Sequence, residues 1–423
     1  MQSTRAARDR SPAALGEDPS RRARHRAQLV LGLRSHLLSS CCVITLAWVP
    51  VLVGSAQEPG VFDDRVVFGQ SAAFSGEAQE LGINLRLGIE AAFAEARTAG
   101  GVHGRMPELV SLDDGYEPEA AIVNTRRLIE EDQVFALIGA VGTPTSRSAT
   151  PVAAEAGVPY IAPFTGAEFL RDPQWTNIVN LRASYYQEAE SMVSHLTEDL
   201  GTERIAVFYQ DDSFGQAGYE GVTRALARRG MEAVALTVFP RNTRAVKTGV
   251  LELRNADPEA LIIVGSYQPV AETIAWSRRI GFDPVFLTVS FVGSNALAQV
   301  LGPAGAGAIV TQVVPFPLDE ELPVIREYHA ALYAHAPDAV PGFVSLEGYL
   351  AGRLALAALQ SAGPALTRTG FLDALKTTDQ LDFGGFLVSF GDDNQGSDAV
   401  FLTVIDDTGR YRSLTSLDEM AGP

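Results

Sequence analysis

Past residue 65 the chain alternates short, almost wholly apolar runs with longer stretches whose apolar residues recur every three or four positions. Val66-Val67-Phe68, Leu109–Leu112, Phe135–Ile138 and Tyr160-Ile161 form one series of short runs. Ile205–Tyr209, Ala233–Phe239, Leu261–Val264, Val285–Val289 and Ala308–Val314 form a second. Runs this rich in Val, Ile, Leu and Phe predict strands buried on both faces of a parallel sheet. Between them, Leu81, Leu85, Ile89, Phe93 and Ala96 make one helical stripe, and residues 117–132, 186–200, 216–230, 269–280 and 322–335 read similarly. The alternation predicts right-handed βαβ units and an α/β, doubly wound fold. Four strands, a helical stretch and five more strands are housed more economically in two sheets than in one. Ligands bind beyond the carboxyl ends of such strands, so two facing sheets predict a cleft between twin lobes.

The loops at those strand ends carry the candidate chemistry. Gly69-Gln70-Ser71-Ala72-Ala73-Phe74-Ser75-Gly76 follows the first strand; it serves as a tight turn or as a place where backbone approaches a ligand. It has neither the G-x-G-x-x-G spacing of a dinucleotide site nor that of a phosphate loop. After the third strand come Thr143, Pro144, Thr145 and Ser146, whose hydroxyls either cap the next helix or hold a carboxylate or carbonyl oxygen. Phe164-Thr165-Gly166 repeats the pairing of a hydroxyl with a glycine after the fourth strand. Tyr185, Tyr267 and Phe291 stand at later strand ends and read as core or as cleft wall.

The N-terminus differs from the rest. Residues 1–36 hold eight arginines, Leu37–Val53 is apolar and uncharged, and Gly54-Ser55-Ala56 is a small-residue exit. That order predicts a secretory signal cleaved near Ala56. Leu38-Ser39-Ser40-Cys41 offers a lipid anchor at Cys41 as the competing reading, and Ser20-Arg21-Arg22 a weaker hint of a twin-arginine signal. Cleavage would remove both cysteines, Cys41 and Cys42, and with them disulfides, thiolate catalysis and thiolate-held metals. The 8 basic and 3 acidic residues of 1–56 leave 25 and 48 in the remainder, a net charge of −23. A surface that acidic repels phosphate backbones and argues against nucleic acid. The six histidines form no metal-ligand spacing, and no G-x-S-x-G elbow occurs. Asp113-Asp114 and Asp211-Asp212 read as solvated loop carboxylates rather than a catalytic or Mg²⁺-binding pair. No catalytic residue, metal or cofactor is expected, and we expect a monomer.

From about residue 65 to 415 the chain resembles the type I periplasmic binding proteins of the leucine/isoleucine/valine-binding class, which serve ATP-driven (ABC) importers. The resemblance is carried by Phe74-Ser75-Gly76, Ile138-Gly139, Gly157-Val158-Pro159-Tyr160-Ile161-Ala162-Pro163, Asp212-Ser213-Phe214-Gly215 and Phe390-Gly391-Asp392-Asp393-Asn394-Gln395-Gly396, in that order. It implies two Rossmann-like lobes, parallel sheets flanked by helices, joined by a three-strand hinge near residues 183, 315 and 395. The first lobe would comprise 65–183 and 316–394, and the second 184–315 and 395–415, with Ala399–Ile405 returning to it. The lobes would close on a small molecule and present the closed form to membrane permease subunits.

The resemblance also implies ligand contacts from Phe74, Ser75, Thr143, Thr145, Phe164, Thr165, Gly166, Tyr185, Tyr267 and Phe291. Where the amino-acid binders hold the ligand carboxylate with a serine, this chain has Pro144 between Thr143 and Thr145. Where they place an acid for the ligand ammonium, it has Ser290 or Phe291, and no acid is expected nearby. An ammonium buried without a carboxylate costs several kcal/mol. The expected ligand is therefore amino-acid-like without the ammonium: an amide, a carboxylate, or an apolar body with one polar end. A sensory receptor on the same fold, or a Rossmann-like hydrolase using Asp113 or Asp212, are the alternatives.

Overall fold

The apolar runs sort into two sheets. In the computed structural model, which describes residues 57–378, 380–390 and 393–420, the first sheet holds β1 (Arg65–Ala72), β2 (Met106–Asp113), β3 (Ala136–Ile138), β4 (Tyr160–Ile161) and β5 (Ile178–Val179). Their order is β2-β1-β3-β4-β5, all parallel. The second sheet holds β6 (Ile205–Gln210), β7 (Ala235–Phe239), β8 (Ala260–Val264), β9 (Val285–Thr288) and β10 (Ile309–Gln312), parallel and ordered β10-β9-β8-β6-β7. A small hairpin, β11 (Leu381–Asp382) with β12 (Leu387–Val388), follows. β13 (Phe401–Ile405) and β14 (Tyr411–Leu414) then extend the second sheet antiparallel beyond β10.

The helices are α1 (Gln79–Thr98), α2 (Pro118–Glu130), α3 (Thr143–Glu155), α4 (Tyr185–Glu198), α5 (Ser213–Ala227) and α6 (Lys247–Asn255). After these come α7 (Tyr267–Arg279), α8 (Ser294–Leu301), α9 (Pro323–His335), α10 (Phe343–Ala362) and α11 (Arg368–Thr377). Each sheet is covered on both faces. Leu128 of α2 and Ala149 and Ala153 of α3 pack with Val67, Leu137 and Tyr160 on one side of the first sheet. Val250 and Leu253 of α6, Val270 and Ile274 of α7 and Leu297 of α8 cover one side of the second. A larger core built on α1, α10, α4 and α5 runs from the first sheet to the second without a break. This is the two-lobed α/β architecture with parallel sheets flanked by helices.

The chain passes between the sheets at 180–184, 313–322 and, among the described residues, 393–400. The first and third passages are hydrogen-bonded to each other: Asn180 N–H donates to the Asn394 carbonyl (2.7 Å) and Gly396 N–H to the Asn180 carbonyl (2.8 Å). Among the described residues no helix is long and apolar enough to cross a membrane. The basic and apolar segment read as a signal, with Cys41 and Ala56, lies outside the described residues.

Three features depart from the sequence reading. β2, an outer strand, is only half-buried from Leu109 to Leu112 rather than buried on both faces. β5, two residues flanked by Asn177 and Asn180, has no apolar neighbours to extend it into a readable run, unlike the equally short β4. The run at 233–239 makes β7, which is not buried on both faces: it is the outer strand of its sheet, and Val234, Leu236 and Val238 are exposed.

Candidate functional site

Two strand-end turns in the first lobe deliver hydroxyls to the cleft. Gly142, before α3, has φ 102°, and a Cβ there would lie 2.2 Å from the Tyr116 ring, so the turn requires glycine. It hands over to Thr143, whose Oγ1 lies 2.7 Å from Thr165 Oγ1; Thr165 also hydrogen-bonds the Tyr185 hydroxyl at 3.3 Å. All three side chains are fully buried. The first-turn amides of α3 have no intrahelical partner, as at any helix start, and add to the same polar patch. Thr145 turns back instead and donates to the carbonyls of Val141 and Gly142 (3.1 Å to the latter). Gly166 accepts from Tyr185 N–H at 2.7 Å, and a Cβ on it would meet the Tyr185 ring at 2.7 Å.

Aromatic rings from both lobes close over this patch. Phe291, after β9, lies 5.5 Å from Phe164, 6.0 Å from Tyr116 and 4.5 Å from Phe214 between ring centroids. Phe214 lies 5.4 Å from Tyr185. The lobes are closed on each other through these contacts. At the cleft rim Arg241 bonds Glu117 and the Tyr116 carbonyl, Asn242 bonds Glu117, each at 2.6 Å, and Arg244 pairs with Glu77 at 2.8 Å.

Beneath the rings, Arg182 of the first passage is completely buried. Its guanidinium lies over Phe164 at 5.0 Å. Nη2 hydrogen-bonds Glu188 (3.1 Å) and Ser290 Oγ, and Nη1 stands 3.5 Å from Glu347 of α10. Glu188 is further bonded by Ser290 N–H (2.7 Å), Ser290 Oγ (2.9 Å) and Thr311 Oγ1 (2.6 Å). Burial works against the charge of Arg182, but Glu347 and Glu188 offset it and hold the guanidinium firmly protonated. Burial pushes Glu347 up to about 7, with Arg182 pulling the other way. Burial likewise pushes Tyr185 up to about 12, so its hydroxyl stays protonated.

This corrects the expectation that no acid stands near Ser290. Glu188 reaches it from α4, a helix remote in sequence. It is engaged by Arg182, Ser290 and Thr311 rather than open to a ligand ammonium. Of the four aspartates, Asp113 and Asp211 are exposed as read, whereas Asp114 and Asp212 differ from their reading as solvated. Asp114 is buried and accepts from Ser71 Oγ (2.8 Å) and Tyr116 N–H (2.9 Å); burial lifts it to about 6. Asp212 caps α5, accepting from the amides of Phe214 (2.9 Å) and Gly215 (3.1 Å). Among the described residues no group of three His, Cys, Asp or Glu is placed to hold a metal.

Of the expected contacts, Thr143, Phe164, Thr165, Gly166, Tyr185 and Phe291 come together at one spot. Phe74 is half-buried under the Arg86 guanidinium (4.3 Å), and Ser75 is exposed beside Asp113. Tyr267 starts α7, buried near Gly293, which separates it from Leu81 of α1. Sequence reasoning passed over Tyr116, Phe214, Arg182, Glu188 and Glu347. Arg182 had one visible signal, a lone charge inside the run Ile178-Val179-Asn180-Leu181-Arg182-Ala183. Adjacent in the chain to Gly166, Tyr185 and Phe214, the residues Ala167, Tyr186 and Ser213 line an open crevice of about 360 Å³, where Arg147 stacks on Phe169 at 4.5 Å.

Residues 65–410 match the periplasmic binding protein family. An amino acid binding protein of Pseudomonas aeruginosa is 23% identical over 82% of this chain and 92% of its own length. Among solved structures, a possible leucine/isoleucine/valine-binding protein from Rhodopirellula baltica is 37% identical, with a TM-score of 0.80 over 85% of this chain and 98% of its own. A substrate-binding periplasmic protein from Ralstonia solanacearum is 31% identical, with a TM-score of 0.78 over 82% and 99%. With its two lobes closed over a polar and aromatic cleft, the chain belongs to the periplasmic binding protein family.

Proposed function

We propose that this protein is an exported, periplasmic solute-binding component of an ABC importer, which captures its ligand between the lobes, hands it to permease subunits and catalyses no reaction. The family match and the likeness to substrate-binding relatives support the class. We assign 65–183 with 316–394 to one lobe and 184–315 with 395–415 to the other, so that the three passages between the sheets act as the hinge. Cleavage near Ala56 would free the chain for this role.

The observation that carries the ligand reading is the meeting of Thr143, Thr165 and Tyr185 with the rings of Phe164, Phe214 and Phe291. Hydroxyls at a helix N-terminus suit an oxygen-bearing polar end, and the rings suit an apolar body. Glu188, the carboxylate nearest Ser290, is already neutralised by Arg182. The favoured ligand is therefore a carboxylate or amide with an aliphatic or aromatic body, rather than a zwitterionic branched-chain amino acid.

A thermal-shift panel of aliphatic and aromatic carboxylates, their amides and the twenty amino acids tests this. A carboxylate or amide at a hundred times its dissociation constant should add about 2.7 kcal/mol of stability, and Thr165→Ala should abolish the response while folding normally. Tight binding of leucine or valine, with no response to carboxylates or amides, would contradict the ligand class.

A further inference from the structure

Tyr116, in the turn between β2 and α2, is held in a backbone conformation that bulky residues avoid. Its φ is 65°, in the left-handed region, and Gly115 before it has φ 56°. Three contacts keep it there. The Tyr116 N–H donates to the Asp114 carboxylate (2.9 Å), the carbonyl accepts from Arg241 (2.6 Å), and Gly142, by having no Cβ, leaves space for the ring. Strain of this kind persists where the surroundings over-determine it, and it gathers at ligand clamps. The residue is 1% exposed, and its ring reaches between the two sheets, with its centroid 6.0 Å from that of Phe291.

Its hydroxyl has one partner among the described residues, Nε2 of Gln210 at the end of β6, 3.5 Å away. The same Nε2 donates to Asp212 at 2.6 Å. An ionised carboxylate can only accept, so the amide nitrogen, not its oxygen, faces both Asp212 and Tyr116. The phenol oxygen thus accepts from Gln210, and among the described residues nothing accepts the phenol's own proton. Other buried tyrosines differ: Tyr160 donates to Ser146 at 3.2 Å and Tyr349 to Glu95 at 3.0 Å. A buried O–H without an acceptor is costly, and in a cleft a ligand atom can supply one. Burial, then the charge of Asp212, push the Tyr116 pKa well above its ordinary value, so the proton stays in place to be donated.

We propose that Tyr116 is a specificity-determining residue of the cleft, its hydroxyl donating to an uncharged carbonyl oxygen on the body of the ligand, apart from the polar end held by Thr143 and Thr165. This rests on the ligand class proposed for the cleft. A carbonyl oxygen has no proton of its own, so it takes the free O–H and leaves the bond from Gln210 intact. It is uncharged because the surroundings of the hydroxyl are already acidic. Asp212 shares Gln210 with it, Asp114 holds its N–H, and Glu117 follows it in the chain. Arg241, the cation bonded here, is already engaged by Glu117. A further anion at this point would meet repulsion without a free partner. The favoured ligand therefore carries two oxygen groups, one at its polar end and one carbonyl along its apolar body.

Isothermal titration of the full chain with matched pairs tests this: phenylbutanoate against benzoylpropanoate and hexanoate against acetylbutanoate, with the amides of all of them. The members of each pair differ by one carbonyl oxygen on the body. The ketone should bind the wild type roughly tenfold more tightly than its partner, and Tyr116→Phe should erase that difference while leaving the partner's affinity unchanged. A residue that only supported the fold would lower both members of a pair alike. Without ligand, Tyr116→Phe should melt at the wild-type temperature, because the proton it loses bonds nothing in the protein. A variant that melts several degrees lower would show the hydroxyl to be used within the fold and would overturn the proposal. Equal affinities within the pairs, or a preference for the ketone that survives Tyr116→Phe, would also overturn it and leave the ligand class standing. Binding of none of these compounds would overturn both.

Discussion

Arg182, Glu188 and Glu347 put one cation and two carboxylates out of reach of water, and a buried charge holds its place only when it is paired. Glu188 is held by four hydrogen bonds, whereas Glu347 faces Arg182 at 3.5 Å without one, so Glu347 is the member whose charge is least supported. Burial lifts it from an ordinary 4.5 to about 7. The folded protein therefore keeps a proton that the unfolded chain releases, and stability should fall as pH rises from about 4.5 to about 7, then level off. Asp114, lifted to about 6, adds to the same fall in its lower part. Glu347→Gln removes the titration while Arg182 keeps Glu188. Urea unfolding at about pH 5 and about pH 7.5 should show a flatter pH dependence for the variant than for the wild type. Equal slopes would mean that Glu347 titrates as a normal glutamate.

At the scale of elements, the segment after β7 works as a clasp. Arg241, Asn242 and Arg244 reach across the cleft to Glu117 and Glu77, contacts that exist when the lobes are together. Arg241 is 24% exposed and Glu117 46%, so the pair is screened and worth about 0.2–1 kcal/mol. Arg241→Ala should leave the melting temperature nearly unchanged but raise the open fraction up to about fivefold, read as a larger radius of gyration in X-ray scattering. A scattering profile identical to wild type would show that the clasp does not set the equilibrium. Legibility in the sequence also varied by element. β1, β6 and β8 announced themselves because both their faces are buried, leaving continuous apolar runs. α10 has 14 of its 20 residues buried, so it lacks the polar face that makes a helical period visible. α3, rich in Thr, Ser and Pro with Pro151 inside it, has a composition that hides its extent. Thr143 and Thr165 stand out in the sequence because each is a hydroxyl in a strand-end loop, and the structure brings the two hydroxyls together. Arg182, Glu188 and Glu347 meet only because the lobes fold together, and no local pattern encodes that.

The whole molecule is two sheets tied by three passages, two of them hydrogen-bonded to each other at Asn180 and Gly396. In the proposed binding cycle, closure is a rotation about this strap rather than about single bonds, and the ligand biases it by touching both lobes. The ring cluster gives that bias an unusual reference point. Phe164, Phe214, Phe291, Tyr116 and Tyr185 already cover one another in the closed protein. A ligand bound among them, as proposed, would exchange ring-to-ring contact for ring-to-ligand contact and remove little new apolar surface of the protein from water. Its thermodynamic signature should then be a heat-capacity change smaller in magnitude than the apolar area of the bound site would suggest, measurable as a shallow slope of binding enthalpy against temperature. Phe291→Ala, which takes away the ring that plugs the cleft, should steepen that slope.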